Sequence, residues 1–301
     1  MRLDAARGVL QIVASGALAA LGCSAPVVDD VADANGTLTQ GMVLVERSAV
    51  EGATPQTNVS AKFMRLPAAA DPELAERVVG SPFDRPPAGS CQAIGAAVEE
   101  PVPGLSAQGP IELLDAGDVS VRAGEVGMPL AARAFPDVGD LVFGVFYTSR
   151  DAASELPAPA RYVFESSGSG LLERFSFEVE APHGPEDVQI GDVHLADGAL
   201  LEEGVSAVLR WRAETPTQAD DRVYVDVIAA SGAAVRCAFA DTGRGVIPGS
   251  ALRAQDLGPL PASVDVAVRR VREVPFAAPG MDLGEVRFDL SVIGRATVVP
   301  H

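Results

Sequence analysis

A chain of 301 residues with 48% hydrophobic content is long enough to bury two cores of ordinary size. Its formal net charge of −18 repels phosphate backbones and anionic lipid headgroups, which disfavours nucleic-acid binding and reads as a solvated, soluble surface. Lys62 is the only lysine and sits in "SAKFM", so there is no phosphate loop of the G-x-x-x-x-G-K-[ST] type, and Schiff-base chemistry would fall to that one side chain.

The first element is an address. Between Arg7 and Cys23 lie 15 uncharged residues, short of the roughly 20 that cross a hydrocarbon core. A basic start (Arg2, Arg7), an apolar middle and small residues make residues 1–22 a secretory signal peptide. Ala20-Leu21-Gly22-Cys23 resembles the bacterial lipobox, with Ala20 where that motif commonly has leucine and with Asp4 as an acid in the usually basic start. The resemblance implies cleavage before Cys23 and acyl chains such as palmitate on that residue. Several chains anchor stably where one does so only marginally. The membrane is then a partner through Cys23, and Ser24, standing where aspartate would favour the inner membrane, points to the outer membrane. Loss of Arg2, Asp4 and Arg7 leaves 21 basic against 40 acidic side chains, a net charge of −19. The alternative is an ordinary secreted protein whose Cys23 is free or in a disulfide.

Residues 23–36, rich in small and acidic side chains, read as a tether. Beyond it the dominant pattern has a period of two, the mark of strands with one buried face. One helix is expected in "DPELAERVVG", residues 71–80, with Asp71 as cap and Pro72 in the first turn. The Pro-rich "SPFDRPPAGS" follows as a surface loop. "LERFSFEVEAP" places Phe175, Phe177 and Val179 on one face, after which "APHGPEDVQIGD" breaks the pattern. The division falls there, with a β-rich domain over 37–182 and an immunoglobulin-like one over 188–301. The second has seven strand candidates, near Val193, Ala207–Ala213, Val223–Ala229, Val235–Phe239, Val246, Val264–Val271 and Val286–Ile293. A further short helical turn is expected in "PGSALRAQDLG", and Trp211, beside Leu209 and Ala207, is expected in the core. The fold class is all-β: two antiparallel β-sandwiches after a signal peptide and short tether.

The lipobox, "AGSCQAI", "LLDAGDVSV", "FEVEAP" and "RCAFADTGRGVIPGSAL" with two long strands after it resemble uncharacterised lipoproteins of myxobacterial type. That resemblance implies a β-sandwich lipoprotein and supplies no activity.

Chemistry is sparse. Cys91 and Cys237 are candidates for a disulfide in an oxidising compartment, although they fall in different expected domains, and a buried free thiol is the open alternative. His183, His194 and His301 lack metal-ligand spacing, and "SSGSGLL" is a hairpin turn with the wrong spacing for a nucleophile elbow. Asp115 with Asp118, Asp137 with Asp140, and Asp220 with Asp221 could serve calcium but suit turns better. The expectation is therefore a lipid-anchored, non-enzymatic structural or interaction module of the cell envelope, with no cofactor or metal and an unidentified protein or glycan partner. A carbohydrate- or protein-binding module, assisted by calcium, is the second reading; a hydrolase with its acid and base on separate loops is the third.

Overall fold

Alternating apolar and polar residues become strands throughout the computed structural model, which describes residues 36–50, 53–67, 79, 85–94, 110–135, 142–149, 155–216, 218, 221–253 and 257–301. The signal segment, Cys23, the tether up to residue 35, the expected helix apart from the helical Val79, and Asp137, Asp140 and Asp220 lie outside the described residues. In chain order the strands are β1 (Thr37–Val50), β2 (Gln56–Pro67), β3 (Cys91–Ile94), β4 (Ile111–Leu113), β5 (Val119–Ala123), β6 (Val126–Ala134), β7 (Val142–Thr148), β8 (Ala160–Ser166) and β9 (Phe175–Ala181). They continue as β10 (Gln189–Ile190), β11 (Val193–His194), β12 (Ala199–Glu202), β13 (Ala207–Arg210), β14 (Arg222–Ala229), β15 (Ala234–Ala240), β16 (Arg244–Ile247), β17 (Ala262–Pro275) and β18 (Leu283–Val299). One-turn 3-10 helices occupy Leu195–Asp197 and Gly249–Ala251, the second of them inside the expected helical turn.

One sheet of 14 strands runs β3-β15-β14-β17-β18-β1-β2-β4-β7-β6-β5-β8-β9, with β12 also on β18; a smaller sheet runs β11-β10-β13-β16. The large sheet folds over at β6, whose residues up to Leu130 pair with β5 while those from Ala131 pair with β7. A first core fills the fold: Val43, Val45, Val59, Phe63 and Phe288 face Val121, Phe164, Phe175 and Phe177. A second core lies between the other half of the large sheet, through Val223, Val225, Val266 and Cys237, and the small sheet, through Ile190, Leu209 and Ile247.

Both cores rest on the same face of β18. Val286, Phe288 and Leu290 enter the first core, and Ala296 and Val298 the second, all at even positions of one uninterrupted strand. β17 follows the same rule, with Val264, Val266 and Val268 in the second core and Val274 against the first. The described residues accordingly belong to one compact unit. Three pairings are parallel, β1 with β18, β12 with β18 and β4 with β7, where the sequence suggested antiparallel order alone. Alternation fixes which face of a strand is buried and carries no record of the neighbour's direction.

Two close approaches lock this arrangement. The Phe276 ring lies where Gly41 and Gly284, register partners on β1 and β18, would otherwise carry Cβ atoms 2.9 and 2.7 Å from it. Its other face stacks on Phe177 at 3.7 Å between centroids. At Gly294 an added Cβ would meet Leu195 Cγ at 2.6 Å, so the turn leading into β12 seats directly on β18.

Cys91 and Cys237 form a disulfide between register partners on β3 and β15. It sits at the second core, Cys237 buried in it and Cys91 packed against it. Val79 packs with Met64 and Leu66 of β2, Arg85 pairs with Glu273 of β17 at 2.5 Å, and Gly89 donates its N–H to the Ala238 carbonyl of β15. With a sequence separation of 146 residues, the bond restricts the unfolded chain strongly. The Cys91→Ser variant is expected to lose about 2–4 kcal/mol of stability, read from urea unfolding beside the oxidised parent.

Candidate functional site

The inner register of the large sheet changes character at one level. β14 presents Val223, Val225 and Val227 to the second core, and the next inner position back is Asp221. β15 presents Val235, Cys237 and Phe239, then Asp241. β17 presents Val264, Val266 and Val268, then Arg270 and Arg272. Because Arg222 pairs with both Ala240 and Val271, Asp221 comes to lie between Asp241 and Arg272. Four charges thus form a buried layer where valines would otherwise continue, Arg270 at 1% exposure and Asp221 and Asp241 at 2% each.

Arg270 is the hub. Its Nε donates to Asp241 Oδ2 at 2.8 Å, and its Nη2 donates to the Arg212 carbonyl at 2.6 Å. Nη1 donates to the carbonyls of His183 and Gly184 at 2.8 and 3.0 Å and to Glu214 Oε2 at 3.3 Å. The chain passing from β9 to β10 is therefore held through its own backbone by a cation in the shared sheet. Glu214 completes the grip: Oε2 accepts the His183 N–H at 3.1 Å, and Oε1 lies 3.2 Å from His183 Nδ1. Arg272 donates to both oxygens of Asp221 at 2.7 and 2.6 Å, which holds its guanidinium above the ordinary value against the opposing effect of burial. The Trp211 Nε1–H donates to Asp241 Oδ1 at 2.6 Å, so the only tryptophan is in the core as expected and also ties that core to the ionic layer.

The crossing segment separates two hollows. A polar one of about 120 Å³ is lined by His183, Glu186, Arg212, Thr215 and Arg270. The other, of about 290 Å³, has β18 residues Val292 and Ile293, β1 residues Ala49 and Val50, and Pro185, Val188 and Leu195 in its walls. His194 and Asp187 also line it, and Asp187, bonded to Arg212 at 2.5 Å, has a φ of 52°, left-handed backbone that aspartate tolerates better than most residues.

On the opposite face of the large sheet a second ladder crosses β15, β14, β17 and β18. Arg236 donates to both oxygens of Asp226 at 2.7 and 2.8 Å, Arg269 lies 3.2 Å from Asp226, and Arg269 also pairs with Asp289 at 2.7 Å. Burial pushes the Asp289 carboxyl above its usual range, and Arg269 and Arg287 only partly oppose this. Burial also works against charge on Arg269, but Asp289 and Asp226 outweigh it and raise that group.

The candidates read from the sequence are distributed as follows. Asp115 and Asp118 belong to a turn: Asp115 Oδ1 accepts the Gly117 N–H and the Tyr147 O–H, both at 2.8 Å, while the Asp118 N–H donates to Ser167 Oγ. These bonds hold the Asp115 carboxyl below its usual value, the Gly117 N–H being the main cause. Burial pushes the Tyr147 hydroxyl up to about 12. His194 stands at the larger hollow and His301 pairs with Glu202, so the three histidines are dispersed. Among the described residues no group of three or more His, Cys, Asp or Glu is placed to hold a metal. Lys62 donates to the Val79 carbonyl. The buried arginines were missed, although Arg270 and Arg272 interrupting a run of inward valines was the available signal.

No family model matches the chain, and no curated protein matches it. Among solved structures it is similar to the Fcho1 Mu homology domain from Danio rerio with a bound Eps15 peptide, at 9% identity over 88% of this chain and 98% of that one. The TM-score is 0.24, too low for the likeness to carry an argument.

Removing the hub takes its bonded guanidinium from the buried Asp241 and leaves Glu214 with Arg272 at 3.9 Å. Arg270→Met is expected to cost about 3–5 kcal/mol in urea unfolding and to speed cleavage at Glu186 by a Glu-specific protease. Tyr147→Phe should move the Asp115 carboxyl up toward its ordinary 3.8, seen by carbon NMR titration. Since Asp115 is depressed in the fold, its contribution is present above the ordinary carboxylate pKa and is lost as pH falls through the folded value. The variant should therefore show a weaker acid-side fall in stability below about pH 4.

Proposed function

We propose that this chain is a lipid-anchored structural or interaction module of a bacterial cell envelope, of the uncharacterised myxobacterial lipoprotein type and non-enzymatic, built from two immunoglobulin-like sandwiches. The short apolar run ending in Ala20-Leu21-Gly22-Cys23 supports attachment through acyl chains on Cys23, and Ser24 supports an outer-membrane destination.

The observation that carries the module reading is the ionic layer on Arg270. Its carboxylates are engaged across strands by Arg270 and Arg272, and the work this arrangement does is mechanical: it fastens the crossing segment to a sheet that both cores share. A body stiffened in this way presents its surfaces at a fixed distance and angle from the point of attachment. The larger hollow favours a protein ligand over a glycan within this reading, because its walls are mostly aliphatic and hold no Trp, Tyr or Phe among the described residues, His194 and Asp187 being their polar members.

Expression of the full chain in a Gram-negative host tests the anchor. Mass spectrometry should find an N-terminal, acylated Cys23 in the membrane fraction, and Cys23→Ser should release the protein to the soluble fraction. A processed chain that is soluble with an unmodified Cys23 would remove the anchored reading.

A further inference from the structure

The larger hollow sits where β1 ends beside β18. β1 pairs with β18 up to Val50 opposite Ile293, and β12 takes up the same edge of β18 from Ala199 opposite Ala296. Between them the turn at Leu195 seats on Gly294 and roofs one side of the notch, while Pro185 and Val188 of the Arg270-held segment close the other. Its mostly aliphatic walls bound an open hollow of about 290 Å³, room for one leucine-sized side chain and part of its neighbours.

The surroundings have a definite sign. Glu186, Asp187, Asp192 and Asp197 are exposed along the bank from the crossing segment to the 3-10 turn. Arg212 pairs with Glu186 and Asp187, and Arg210 pairs with Asp192, so two guanidiniums face four carboxylates. Arg295 adds nothing net, since it lies 3.7 Å from Asp265. Apolar surface also continues past the notch at Val193, 42% exposed and next in sequence to the wall residue His194, while the wall residue Val50 is itself 48% exposed. A small molecule filling the hollow would leave Val193 in water, whereas an extended chain passing through it would cover that side chain too.

We propose that this notch binds an extended peptide segment in which one aliphatic side chain is flanked by lysine or arginine. The aliphatic group fills the hollow against Val292 and Ile293, and the flanking cations meet the excess carboxylates at Asp187 and Asp197. This deepens the interaction-module reading by naming the ligand class, and it does not depend on the anchor at Cys23.

Methyl-labelled full chain titrated with the peptide acetyl-Ser-Lys-Leu-Lys-Ser-amide provides the test. Saturable shifts are expected at Val50, Val188, Val292 and Ile293. Binding should weaken at least tenfold when glutamate replaces both lysines in the peptide, and about tenfold in the Asp187→Asn/Asp197→Asn double variant. Ala196→Trp, which fills the notch from its rim, should abolish the shifts while the Val59 and Val121 methyl signals of the first core stay in place, showing an intact fold. Absence of saturable shifts, equal affinity for the glutamate peptide, or shifts with hexylammonium but not with the lysine peptide would each overturn the proposal. A failure here leaves the acylation result at Cys23 untouched, and a failure of acylation leaves the peptide titration untouched.

Discussion

One guanidinium organises this protein. Arg270 is 1% exposed, and a charge so placed is tolerable only when its donors are matched by acceptors in good geometry. Here the acceptors come from Asp241, from Glu214 and from the carbonyls of His183, Gly184 and Arg212. Backbone carbonyls add no countercharge but fix where the chain must run. The crossing segment therefore has a defined path across the sheet, and both hollows inherit their shared wall from it.

A hydrophobic plug could fill the same space, and replacing a buried ion network by apolar residues is often neutral or stabilising. What apolar side chains do not supply is direction. Asp221 and Asp241, at the adjoining ends of neighbouring strands, meet Arg272 and Arg270 on a third, so a slip of one residue would carry these charges to the opposite face and leave them unmatched. On that opposite face the ladder of Arg236, Asp226, Arg269 and Asp289 imposes the same demand with the opposite parity. Two ladders, one on each face, give β14, β15 and β17 a register that valines alone would leave loosely specified.

Strand positions in the last third were plain in the sequence because their alternation is strict. All seven candidates after residue 188 correspond to strands, and Cys237 points into the core with Val235 and Phe239 as its alternation implies. The short β10 and β12, with two and four residues, had too little pattern to register. Sheet membership was not legible either. A strand was readable over Val286–Ile293, but nothing local says that it runs on to Val299 or that the same face passes from the first core at Leu290 to the second at Ala296. At the candidate site, acidic pairs such as Asp115 with Asp118 were readable as turn chemistry, since Asx geometry is local. The role of Asp221 was not, because its cation lies 51 residues away on another strand.

The parallel pairing of β1 with β18 has a consequence for how the molecule comes into being. The hairpin of β1 and β2 is made well before the strand that must lie along its open side: the Thr39 amide waits for a carboxylate on Asp282, 243 residues later. Until then Val43, Val45 and Phe63 form a greasy surface with an unclosed edge. The nascent polypeptide therefore has to be kept from collapsing or pairing with a neighbour until β18 has been made.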